Sequence, residues 1–160
     1  MKDEHILKNV SDHLKRKNLT VATAESCTGG LLAHLLTNIS GSSEYFDRGV
    51  ITYSNKSKIE LLGVPQKTIT EYGAVSKQTA RAMAVDIRKQ ANVDIGISTT
   101  GIAGPTGGTE EKPVGLVYIG IAIVKNVDVQ RFVFSKDRLQ NKEKTCYKAL
   151  ELLLKNISEW

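Results

Sequence analysis

The feature that most restricts how this chain can fold is an alternation of short apolar runs with longer stretches of helical periodicity, sustained over all 160 residues. LTVATA at 19–24, EYFDRGVITY at 44–53, DIGISTT at 94–100 and the runs 115–124 and 127–134 have the length and composition of strands. Between them lie helical signals. Ile6, Leu7, Val10 and Leu14 share one face of a helix over 4–17, and Leu31, Leu32, Leu35 and Leu36 suit a helix packed on a sheet. Asn55 is a candidate N-cap for a short helix carrying Lys58, Leu61 and Leu62 before Gly63 and Pro65, Ser76 is a candidate cap for a helix over 76–91, and 137–157 forms the last helix. Lys125-Asn126 is short enough to join its flanking runs as an antiparallel hairpin. This order predicts an α/β fold, a three-layer α/β/α sandwich on a mixed, mostly parallel sheet of about five strands. With no repeat or linker, and a length inside the roughly 100–200 residues of one domain, 1–160 reads as a single domain.

Composition narrows the function classes. The N-terminal segment mixes charged with apolar residues, and no stretch approaches the ~18 apolar residues of a membrane span, so neither secretion nor insertion is expected. Cys27 and Cys146 lie far apart and form no CxxC or Cys/His cluster, which points to a reducing, cytoplasmic setting without a zinc site. Twenty-two basic against 17 acidic residues leave a net charge of +5. The lysines are scattered without a basic stripe and read mostly as solvated surface, so nucleic acid is not the expected partner; an excess of this size can still help attract an anionic small molecule to a cleft.

In open α/β sheets, sites gather where strands end and helices begin. Three polar segments occupy such positions: Glu25-Ser26-Cys27-Thr28-Gly29-Gly30, Tyr53 to Lys58, and Thr99-Thr100-Gly101-Ile102-Ala103-Gly104-Pro105. Ser26 follows a strand, and the glycines at 29 and 30, read as just inside the next helix, would let backbone N–H groups approach a substrate oxygen. The competing reading is that Ser26 or Thr28 only caps the helix. There is no GxSxG, Cys27 has no evident histidine partner, and His34, His5 and His13 are poor bases for a triad. Lys58 offers another route, since a lysine rendered neutral by desolvation or by a helix N-terminus can activate a serine. Tyr53 could bond to that pair or stack on a ring. The glycines at 101, 104, 107 and 108 match neither GxGxxG nor a P-loop, though such a loop can hold a phosphate or carboxamide. Arg138 is a candidate phosphate fork.

Taken together, AESCTGGLLAHLLT, GSSEYFDRGVITYSNKSKIELLGV, GAVS at 73–76 and TTGIAGPTGGTEEKPVGLVYIGIA closely resemble the CinA C-terminal domain family, from about residue 5 to 157. The resemblance implies a nicotinamide-nucleotide amidase acting on nicotinamide mononucleotide through a serine–lysine pair, with no cofactor and a homo-oligomeric assembly. It puts the catalytic serine and lysine on Ser26 and Lys58, with Tyr53 assisting. Thr100 and Arg138 match further positions of the family's site, and Glu25, Cys27, Thr28, Gly29, Gly30, Gly101 and Gly104, on the polar segments described above, are expected to bind substrate with them. The family's usual GDR is here Lys136-Asp137-Arg138, and a following arginine is replaced by Lys142. A non-catalytic nucleotide-binding or partner-binding module of the same fold is the alternative, separated from the amidase by whether ammonia is released.

Overall fold

A computed structural model describes the backbone of residues 2–160 and the side chains of residues 5–160. Five strands form one sheet: β1 (Val21–Glu25), β2 (Phe46–Ile51), β3 (Ile95–Gly101), β4 (Leu116–Ala122) and β5 (Val127–Val133). Their order is β2-β1-β3-β4-β5; β1 runs parallel to both β2 and β3, and β3-β4 and β4-β5 are antiparallel. The expected sandwich on a mixed sheet is what forms, with β4 alone reversed. Chain direction across the sheet changes sides at β1, which is flanked by β2 and β3, and a crevice opens at the carboxyl ends of strands around such a switch point.

Each face of the sheet is covered. Helices α1 (Lys2–Arg16), α2 (Leu31–Thr37) and α6 (Arg138–Ser158) bury Leu7, Val10, Leu14, Leu32, Leu150 and Leu153 against Val21, Ile95, Ile97 and Ile119. On the other face, α4 (Gln66–Tyr72) and α5 (Lys77–Ala91) pack Ile69, Met83 and Ile87 over Ala22 and Ala24. Small residues set the spacing there: a Cβ on Gly96 would lie 2.1 Å from the Ala84 carbonyl oxygen, so α5 rests almost on the backbone of β3. No described helix is long and apolar enough to cross a membrane.

Several boundaries differ from the sequence reading. Ser54, not Asn55, caps the short helix α3 (Asn55–Ser57): its hydroxyl accepts from the Ser57 N–H, and the Ser57 hydroxyl answers the Ser54 N–H in a capping box. The chain then widens into a π-helical turn, Lys58–Leu62, a geometry that recurs at functional sites. Ser76 does cap α5, accepting from the Thr79 N–H. Helix α4 was not foreseen, because seven residues with one buried apolar side chain, Ile69, leave too little periodicity to detect.

Candidate active site

Period-two alternation along β1 turns Val21, Thr23 and Glu25 toward α2 and Ala22 and Ala24 toward α5, leaving Ser26 as the first residue beyond the strand. The Ser26 N–H donates to the Thr99 carbonyl of β3 (2.9 Å), and the Thr52 N–H at the end of β2 donates to the Glu25 carbonyl (2.8 Å). Three parallel strand ends thus hold the serine at the switch point.

Glu25 is not directed at a ligand. Its buried carboxylate accepts from the Thr28 hydroxyl (2.6 Å) and from the N–H groups of Leu32 (2.8 Å) and Ala33 (3.0 Å). It therefore satisfies the first donors of α2, the task that sequence alone assigned to Ser26 or Thr28, and its charge complements the helix N-terminus. The glycines precede the helix rather than lying inside it: Gly30 is the N-cap at φ 99°, and Gly29 has φ 61°. The Gly29 N–H returns to the Ser26 carbonyl (3.1 Å), while those of Thr28 and Gly30 make no backbone hydrogen bond in the turn. Thr28 also bonds the Thr99 hydroxyl (2.7 Å), locking the turn to β3.

Lys58 reaches this turn from the start of the π-helical segment. Its Nζ lies 2.9 Å from Ser26 Oγ, 2.7 Å from the Thr52 carbonyl and 3.4 Å from that of Tyr53. Only 1% of the residue is exposed, and burial pushes the amine down from 10.5 to about 8, against a small opposing influence of Cys27. Loss of hydration, one of the two causes expected from sequence, is the main one. A neutral amine has two donors and one lone pair. Two carbonyls face the donors, so the lone pair is left for the Ser26 hydroxyl. At pH 7 roughly a tenth of such amines are neutral.

The other sequence candidates separate into groups. The Cys27 thiol is buried and pushed up to about 12 by desolvation, so it stays protonated beside the serine. Thr100 gives its buried hydroxyl to the Ala74 carbonyl (2.8 Å). Gly101 lies within β3 opposite Val117, where a Cβ would come 2.6 Å from the Leu116 carbonyl oxygen. Both hold the fold together and neither presents a free group to the crevice. Arg138, the first residue of α6 after the cap Asp137, donates to the Gly104 carbonyl (2.8 Å) and to the Tyr53 hydroxyl (2.9 Å), tying together the glycine loop, the end of β2 and α6. Tyr53 is 59% exposed, so most of the side chain is open to solvent.

An open cleft of about 460 Å³ adjoins the serine turn, lined by Gly29, Gly30, His34, Leu139 and Lys142 among others. The Lys142 Nζ lies only 3.5 Å from where a Cβ on Gly29 would be. Sequence reasoning missed Asn141, whose buried amide donates to the Ala103 carbonyl (3.0 Å) and accepts from the Lys136 N–H (3.1 Å), fixing the glycine loop against α6. A polar residue on the inner face of a helix was the one available signal.

Fold and site define an α/β/α protein with a serine–lysine pair at the switch point of a mixed sheet. The family model of the CinA C-terminal domain matches residues 3–157, and the chain belongs to this family. A CinA-like protein of Chloroherpeton thalassium is 50% identical over 155 residues, covering 94% of this chain. A relative in Caldicellulosiruptor bescii is 56% identical over 147 residues, covering 92%. The chain spans only 37% and 36% of the lengths of these two curated relatives. Among solved structures, the competence/damage inducible protein CihA from Agrobacterium tumefaciens superposes with a TM-score of 0.94 at 40% identity, covering 96% of this chain and 94% of its own. A CinA superfamily protein from Klebsiella pneumoniae gives 0.96 at 29% identity, covering all of both chains.

Proposed function

We propose that the chain is an amidase that hydrolyses the carboxamide of nicotinamide mononucleotide to nicotinic acid mononucleotide and ammonia. The observation that carries this reading is the 2.9 Å contact between the buried Lys58 amine and the Ser26 hydroxyl. The substrate is what the family resemblance implies. Neutral Lys58 takes the Ser26 proton as Oγ attacks the carboxamide carbon, and the oxygen of the tetrahedral intermediate is held by the N–H groups of Thr28 and Gly30. Collapse breaks the C–N bond; the nitrogen takes the proton from Lys58 and leaves as ammonia, and an ester on Ser26 remains. Water then attacks that ester, Lys58 again accepts a proton, and the acid is released with Ser26 reprotonated. Tyr53 offers a ring face to the pyridine, and Arg138 and Lys142 supply cations for the phosphate at the mouth of the cleft.

The test is ammonia release from nicotinamide mononucleotide by the purified chain, compared with Ser26→Ala. The variant is expected to retain the wild-type fold and to lose at least a thousandfold in rate. Equal rates in the two proteins would dismiss Ser26 as nucleophile, and no release by either would favour a binding module.

A further inference from the structure

The basic residues scattered in sequence are gathered by the fold. On α5, Arg81, Arg88 and Lys89 fall at i, i+7 and i+8, which is one helix face, with Val85 between them. That face borders the turn joining β4 to β5, where Lys125 and Asn126 complete the rim of a hollow of about 300 Å³. No carboxylate lines this hollow and none of its four cations forms a salt bridge among the described residues, while Asp86, three residues before Lys89 on the same helix, lies near enough to interact with it. Arg88 and Lys89 lie in the last turn of α5, where a cation is favoured by the helix dipole. Arg81 and Lys125 have no such reason to be there. Gathering four like charges around one concavity raises the potential inside it and is unfavourable until an anion enters.

Position separates this hollow from the serine. Ala122 at the end of β4 pairs with Gly96 at the start of β3, whereas Ser26 lies beyond the opposite, carboxyl ends of β1 and β3. We propose that the hollow between α5 and the β4–β5 turn is a second binding site, one that takes a compact polyanion of the phosphate type. Its size suits a di- or triphosphate group, with the guanidinium of Arg81 as a fork, the Arg88 donors not engaged by the Val93 carbonyl (3.5 Å) beside it, Lys89 and Lys125 as point charges, and the Asn126 amide as an added donor. The polyphosphate could be free or part of a nucleotide. On the other side of the same turn, Ile123 to Asn126 also line a more apolar hollow with Asn156 and Trp160, where a base would find an indole.

Tripolyphosphate and ATP are titrated separately into the purified chain by calorimetry at 100 mM salt, with orthophosphate as the weak comparison. The expected result is one saturable site, at least tenfold tighter for tripolyphosphate than for orthophosphate. Arg81→Gln combined with Lys125→Gln lowers that affinity at least tenfold, with an unchanged circular dichroism spectrum and unchanged ammonia release. Arg138→Gln, at the Ser26 site, leaves binding within twofold. Equal affinity for ATP and tripolyphosphate identifies a phosphate-only site. Tighter ATP binding with quenching of Trp160, the only tryptophan, identifies a nucleotide. The proposal is overturned by non-saturable binding, by undiminished binding in the double variant, or by loss of binding in Arg138→Gln. If the double variant misfolds, Lys89→Glu serves instead, and wild-type affinity in that protein overturns it equally.

Discussion

Replacing Lys58 by methionine keeps an unbranched apolar stem in the same buried channel and removes one ionisable amine, which isolates the cost of placing that amine next to Ser26. In the unfolded chain the amine titrates near 10.5, and in the folded protein near 8. Because the folded value is the lower one, the unfolded state holds a proton between pH 8 and 10.5 that the folded state has lost. Stability contributed by this group is therefore fully present above the upper value and falls away as pH drops through the lower one. Integrated over the two titrations, wild type should gain roughly 2–3 kcal/mol relative to Lys58→Met between pH 7 and pH 10, most of a total penalty of roughly 3 kcal/mol at low pH. At pH 7 the substitution relieves that penalty but strands the Thr52 carbonyl, worth about 1–3 kcal/mol, so the two proteins should unfold within about 2 kcal/mol of each other. Urea unfolding of both proteins, followed by far-ultraviolet circular dichroism at pH 7, 8, 9 and 10, gives the difference directly. Other titrating groups are common to both chains and cancel. Parallel stability curves across this range would mean that the folded amine keeps its ordinary affinity for protons, and the neutral-lysine mechanism would fail with it.

The same amine predicts the pH dependence of turnover: kcat/KM for ammonia release should rise about tenfold per pH unit below 7 and level off above about 8, whereas a flat profile would point to a different base. Glu25→Ala strips three donors of their acceptor and should cost about 3 kcal/mol in urea unfolding, with Glu25→Gln recovering part of it because its amide oxygen can still accept. Gly96→Ala forces a methyl group against the Ala84 carbonyl and should cost at least about 2 kcal/mol, lowering Tm by several degrees by calorimetry.

Much of the architecture could be read from residues whose roles are local. The leucines of α2, the cap at Ser76 and the hairpin around Lys125 each depend on neighbours a few positions away, so period and turn chemistry were sufficient. The site was legible in outline only. Ser26 and Lys58 are 32 positions apart, and their contact depends on β1 and β2 lying side by side, which no local pattern records. Glu25 illustrates the limit. An acidic residue beside a nucleophile reads as a ligand until the fold turns it toward the N–H groups of α2, seven and eight residues away. Thr100 reads as the end of a strand, but that its hydroxyl reaches the Ala74 carbonyl, 26 positions away, is recorded by no local pattern. The basic hollow escaped notice because Lys125 joins Arg81, Arg88 and Lys89 of α5 only once the β4–β5 turn folds beside that helix.

Strand β2 lies at the border of the sheet, pairs with β1 alone and is mostly exposed. It is also the path by which the chain travels from the serine turn to Lys58. Detachment of this one ribbon would carry the lysine away from the serine while the other four strands stayed joined. Mild denaturant should therefore silence turnover before the fold as a whole gives way, and amide exchange should be faster in β2 than in β3. The lifetime of the serine–lysine contact is then governed by this border strand, not by the core beneath it.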